Sequence, residues 1–208
     1  MNPSIWRRIA VMIAGILIMG PGVALIKLSS MGNDPSTAMC IAVGARLNID
    51  FGLIIIAMQC ICFVVEGLFG RKLIGAGTFV NWLFVGPLAS GCERIVRSLW
   101  AVPEAFFPRL LLMVAGVLVL SLAGALYQTA DVGVAPYDAL SIILSEKSGQ
   151  KYWKCRAFTD VFCVLVTILL RGFFGVGTLI CAAGLGPFIA FFTRTTAKPL
   201  VYGRPADT

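Results

Sequence analysis

The chain contains no histidine and no CxxC, and only 13% of its residues are charged. Without histidine the commonest general base and metal ligand is missing. Histidine-dependent hydrolytic triads and haem ligation are therefore excluded. Seven cysteines are present (Cys40, Cys60, Cys62, Cys92, Cys155, Cys163 and Cys181), most of them inside apolar runs. A disulfide framework or a zinc site needs spaced ligands in polar loops, so these cysteines read as small packing residues. Neither a metal site nor a cofactor is expected. The scarcity of charge excludes most. Soluble domains carry about 25% charged and about 45–50% apolar residues, whereas here 59% are hydrophobic. Too few polar residues remain to cover a surface in water, so lipid must cover it.

The 17 lysines and arginines outnumber the 10 acids. They gather at the ends of apolar runs (Arg7, Arg8, Lys147, Lys151, Lys154, Arg156), as the cytoplasmic bias of membrane proteins requires. No interleaved basic and aromatic surface points to nucleic acid.

Long apolar runs lie at about 9–28, 51–69, 78–95, 110–127, 158–170 and 178–192. Two shorter stretches, 35–47 and 136–144, each follow a helix-breaking element: Met31-Gly32-Asn33-Asp34-Pro35 and Val132-Gly133-Val134-Ala135-Pro136. Gly and Pro stop a helix, and Pro at a first helical position permits a new one. Asp34 is placed to cap its helix. Trp6, Trp82, Trp100 and Trp153 fit interfacial anchors.

The first run, behind Arg7-Arg8, has the outline of a secretory signal, but an internal repeat argues that it is a retained span. A shift of 101 sets Arg8 on Arg109, Met12 on Met113, Ala14-Gly15 on Ala115-Gly116, Gly32 on Gly133 and Pro35 on Pro136. A shift of 100 then pairs Arg71 with Arg171, Gly77-Thr78 with Gly177-Thr178, and Gly86-Pro87 with Gly186-Pro187. The expected fold is all-α: one membrane domain over 1–208, a polytopic helix bundle of two tandem repeats, 7–97 and 108–198. Each repeat has three long helices and one short, broken or re-entrant helix.

If the short helix does not cross, each unit crosses three times and the units are inverted. If it crosses, the units are parallel. With the N-terminus inside, three crossings per unit put Lys27, Arg46, Arg94, Arg97, Arg109 and Arg171 outside. Four crossings put only Lys27, Arg71, Lys72 and Arg171 outside. Matching charges in matching register also favour parallel units, with both termini cytoplasmic. Against this, 13 residues of helix rise only about 20 Å.

The break segments Met31–Ala38 and Val132–Leu140 resemble the repeated "lGvgPwDal" signature of the YczE/YyaS/YitT family of bacterial membrane proteins. Gly75-Ala76-Gly77-Thr78 with Gly86-Pro87, and Gly175-Val176-Gly177-Thr178 with Gly186-Pro187, are similar to its "GiGT…GP" element. The resemblance covers nearly the whole chain and is nearest the YczE branch, since no soluble C-terminal domain follows the last span. It implies an inner-membrane, multi-pass protein. The motif aspartate stands at Asp138 but is Thr37 in the first unit, where an acid occurs three residues earlier as Asp34.

Ionisable groups within spans cost about 2.5–3.5 kcal/mol on insertion scales and are functional candidates by default. Asp34 and Asp138 sit where a helix N-terminus offers free N–H groups and a partial positive charge. Asn33, Ser36 and Tyr137 could add polar contacts. Lys27, Asp131 and Asp160 complete the candidate substrate-binding set, and Lys27, Asp131 and Glu66 also suit interfacial positions. Gln59 adds an uncharged polar group. The glycine clusters are no phosphate loops, because GxxxxGK[ST] does not occur.

Two functions fit. One is a small-solute permease whose two units clasp a polar site at the paired breaks. The other is a non-transporting accessory or regulatory membrane protein that assists a partner. An enzyme is not expected, since acid–base work would fall to Asp or Glu alone. Expected partners are membrane lipid and a small-molecule substrate, with self-pairing into a homodimer left open.

Overall fold

A computed structural model describes residues 4–99 and 102–203. Among them the chain is helical, with no strand. The helices are α1 (Ile5–Ser29), α2 (Pro35–Leu47), α3 (Phe51–Phe69), α4 (Ala76–Leu99), α5 (Phe106–Thr129), α6 (Pro136–Ser148), α7 (Tyr152–Leu169) and α8 (Val176–Phe192). A π-helical turn, Thr193–Ala197, carries α8 on into α9 (Lys198–Tyr202).

Four stretches are long and apolar enough to cross a membrane: Ile5–Ser29, Phe51–Phe69, Phe106–Thr129 and Val176–Tyr202. α4 has the length but carries Glu93, Arg94 and Arg97, and α7 carries Lys154, Arg156 and Asp160. At about 1.5 Å per residue, α2 and α6 are about 20 Å long, short of a hydrocarbon core of about 30 Å. The outer surface is apolar, with Ile61, Leu68, Leu83, Phe158 and Leu169 exposed, while many interior positions hold Gly, Ala, Ser and Thr. Small residues inside and large apolar ones outside are what lipid as solvent selects. Trp6, Trp82 and Trp153 remain on the outer surface, and Trp100 lies outside the described residues.

The centre is the α1–α5 crossing, the most extensive helix contact. Glycine makes it possible. A methyl group at Gly15 would lie 2.8 Å from the amide nitrogen of Tyr127, and one at Gly116 would lie 2.9 Å from that of Ile26. α4 packs on α1, and α8 packs on α5. The remaining helices form a ring in which α2 and α6 each touch both α3 and α7.

α1 and α5 run antiparallel, and arginines at both ends fix them. Arg8 Nε donates to the carbonyl of Ala130 at 2.8 Å, and its Nη2 donates to the Asp131 carbonyl. At the opposite end Arg109 donates to the carbonyls of Ser29 and Ser30 at 2.7 and 2.8 Å. The parallel arrangement expected from the charge register is therefore not found. The register misled for a physical reason: each arginine satisfies the orphan carbonyls at a helix C-terminus, and that need exists on both faces. Arg7 Nε donates to Leu200 O at 2.8 Å, which brings the two ends of the described chain to one face.

Candidate functional site

The breaks, residues 30–34 and 130–135, have part of their backbone satisfied by the first turn of α8 and of α4. Gly32 (φ 132°) and Gly133 (φ 129°) occupy a region that L side chains rarely adopt. The carbonyl of Val132 accepts from Gly77 N at 3.0 Å, and that of Met31 accepts from Gly177 N at 3.0 Å. Val134 N donates to Leu73 O at 2.9 Å. Pro35 and Pro136 then open α2 and α6 at first-turn positions where their missing N–H costs nothing.

At the first break Asp34 caps α2. Its Oδ2 accepts from Thr37 N at 3.1 Å and from the Ser36 hydroxyl at 2.6 Å. Asn33 sits beside it, half-buried.

At the second break Asp138 lies in the first turn of α6 but caps nothing; the N-cap residue, Ala135, makes no side-chain bond. Asp138 Oδ1 accepts from Arg156 Nη1, and its Oδ2 accepts from the Tyr127 hydroxyl. Arg156 Nε reaches Asp160 Oδ2 at 3.3 Å, and the Tyr137 hydroxyl donates to Asp160 Oδ1 at 2.7 Å. The guanidinium lies 4.9 Å from the centre of the Tyr137 ring, within range of a cation–π contact. Cys163 Sγ is 3.4 Å from the Tyr137 hydroxyl. Asp160 and Tyr127 are fully buried, and Arg156 is nearly so.

Local sequence explains the assembly. Arg156 and Asp160 are four residues apart and share a face of α7. The α6–α7 hairpin closes with Ser148 by Cys155 and Ser141 by Thr159, which brings Tyr137 and Asp138 to that face. Tyr127 comes from the last turn of α5. The cluster therefore ties three helices together. One guanidinium is shared between two carboxyl groups.

Of the expected residues, the structure gathers Asp138, Tyr137 and Asp160, and keeps Asp34, Ser36 and Asn33 at the other break. Lys27 and Asp131 join neither group. Lys27 is exposed in the last turn of α1, where a cation suits the helix dipole. Asp131 is in a left-handed turn, ion-paired to Arg8 at 2.6 Å and largely exposed. Arg156, grouped by sequence with interfacial cations, is instead the buried centre of the cluster. Its spacing to Asp160 was the available signal. Nothing local pointed to Tyr127. Glu66, in the last turn of α3, is fully buried rather than reaching outward, and neither carboxyl oxygen has a hydrogen-bond partner. Gln59 Oε1 is likewise buried and unpartnered, beside a cavity of about 360 Å³.

Four apolar helices of spanning length and an apolar exterior around a buried ionic cluster define a helical membrane protein. The chain belongs to the family of unknown function DUF6198, which it matches over residues 6–194. It is 26% identical over 199 residues to an uncharacterized protein of Haemophilus influenzae, covering 94% of this chain and 89% of that protein. It is 22% identical over 183 residues to the uncharacterized protein YyaS of Bacillus subtilis, covering 82% and 86%. It is also 22% identical over 190 residues to the uncharacterized membrane protein YczE of the same organism, covering 91% and 86%. The resemblance read from the break motifs is thus found along the chain. No solved structure matches it.

Proposed function

We propose that the protein is a small-solute permease of the bacterial inner membrane, with its polar site at the Asp138–Arg156–Asp160 cluster. The observation that carries this reading is a nearly buried arginine shared by two carboxylates at the start of a broken helix. A buried ion pair is a weak stabiliser, and apolar replacements of similar volume are often neutral or better. Its presence in a span therefore points to use. Two acids that share one cation suit a small coupling cation or a proton, and the tyrosine hydroxyls suit a polar solute.

The permease is built of two inverted copies of one unit. Supporting this are the antiparallel α1 and α5, the reciprocal arginine caps and the paired Gly32 and Gly133 turns. α1, α3, α4, α5, α7 and α8 cross the membrane, while α2 and α6 enter and return. Both ends of the described chain then share a face, proposed as cytoplasmic. Inverted units around broken helices are a known transporter plan.

The accessory-protein reading is favoured by one observation: the cluster is closed on itself, each carboxylate accepting from both Arg156 and a tyrosine. Such closure also serves plain helix adhesion. The two readings separate on purified protein screened with metabolites by thermal shift, beside Asp138→Asn. A ligand that stabilises the wild type but not the folded variant, and that crosses proteoliposomes, supports the permease. No stabilising ligand with a normally folded variant overturns it in favour of the accessory reading.

A further inference from the structure

Beside α7, on the face that holds Arg7 and Leu200, a groove of about 400 Å³ opens between the end of α5 and the α8–α9 rod. Tyr152 Oη and Gln128 Nε2 lie in its floor. Both atoms are buried, and the Gln128 side chain lies against the phenol in a poorly aligned contact. A hydroxyl held that loosely can turn to a stronger, charged acceptor. On the rim stand Arg194 and Lys198, exposed and four residues apart, with no ion pair among the described residues. The groove's one acid, Asp131, is already taken by Arg8. A π-helical turn, Thr193–Ala197, carries Arg194 and is followed directly by Lys198, and π turns inside α-helices recur at functional sites.

The groove has an apolar neighbour. A second cleft of about 450 Å³, sharing Ala190 and Arg194 with the first, is lined by Trp153, Pro187 and Phe191. A site with two cations, a phenol and an amide at one end and an apolar channel at the other matches a lipid in both parts. We propose that it binds an anionic membrane phospholipid, the phosphate between Arg194, Lys198 and the Tyr152 hydroxyl, and an acyl chain along Trp153 and Phe191. Basic pockets between membrane helices take such headgroups by charge complementarity. This inference needs the membrane setting but not transport.

The test uses full-length protein in nanodiscs of phosphatidylcholine, with or without phosphatidylglycerol, and with inorganic phosphate as a separate arm. Melting temperature and lipid copies retained in native mass spectrometry are the readouts. In the wild type, phosphatidylglycerol should raise the melting temperature by several degrees and be retained as a discrete copy. R194Q/K198Q should lose that copy and most of the shift, with a melting temperature in phosphatidylcholine like that of the wild type. Y152F, which keeps both cations, should weaken retention by about fivefold, roughly one hydrogen bond. Equal shifts from both lipids, or an unchanged phosphatidylglycerol effect in the double variant, would overturn the proposal. A shift reproduced by phosphate alone would also overturn it, in favour of a soluble anion.

Discussion

At the first break Asp34 turns its carboxylate back onto its own helix, whereas at the second Asp138 turns away, toward an arginine on α7. The two backbones scarcely differ. Gly32 and Gly133 share a positive φ, and each break hands one carbonyl to a glycine N–H at 3.0 Å. What differs is chemistry three residues apart. An acid at the N-cap position is consumed by the helix end, while an acid in the first turn remains free for tertiary partners. One short helix is therefore capped by its own acid, and the other carries a buried charge network.

Removing Arg156 should have the largest effect. Arg156→Met leaves Asp138 and Asp160 buried without a cation, which costs about 3–5 kcal/mol. In detergent its melting temperature should fall far below that of the wild type; an unchanged melt would mean that the cluster holds nothing together. Forcing the α1–α5 crossing apart comes next. Gly116→Ala puts a methyl group within 3 Å of Ile26, and overpacking of this kind costs about 1–3 kcal/mol. Gly15→Ala should cost a similar amount, because the contact is reciprocal; a wide gap between the two melts would break the symmetry. Asp34→Ala should lose about 1 kcal/mol, the value of a cap, and Asp34→Ser should restore most of it. A loss at Asp34 as large as that at Arg156 would give the first break a charge role and undo the contrast. Lys27→Gln should sit within about 0.5 kcal/mol of the wild type, since Lys27 is exposed and joins neither break.

Much of this was legible in the sequence. Apolar runs marked the long helices, and the Gly-Pro elements marked where α2 and α6 begin, because glycine and proline act on the backbone they occupy. Asp34 as a cap could be read for the same reason: its partners are two and three residues away. Arg156 could not be read correctly. Its neighbours in sequence, Lys151 and Lys154, are exposed cations, and only the α6–α7 hairpin brings Asp138 to it. Tyr127 depends on contacts from a different helix altogether. Glu66 stands near the end of an apolar run, but packing closes over its side chain, which the run alone did not show.

Orientation was misread because position in the chain does not say what an arginine binds. Arg8 and Arg109 occupy matching places, and a membrane charge count treats each as a marker of one side. Their guanidiniums instead satisfy carbonyls at the end of the opposite helix, 122 and 80 residues away in sequence.

By itself the sequence determined a helical protein covered by lipid, free of histidine chemistry, with two glycine–proline breaks, because composition and local backbone preference act without the rest of the fold. Only the tertiary structure decided that α1 and α5 run antiparallel and that the second break, not the first, carries a buried charge cluster. Both outcomes turn on which distant groups meet, and burial in a low-dielectric interior makes each such meeting strong when partnered and costly when not.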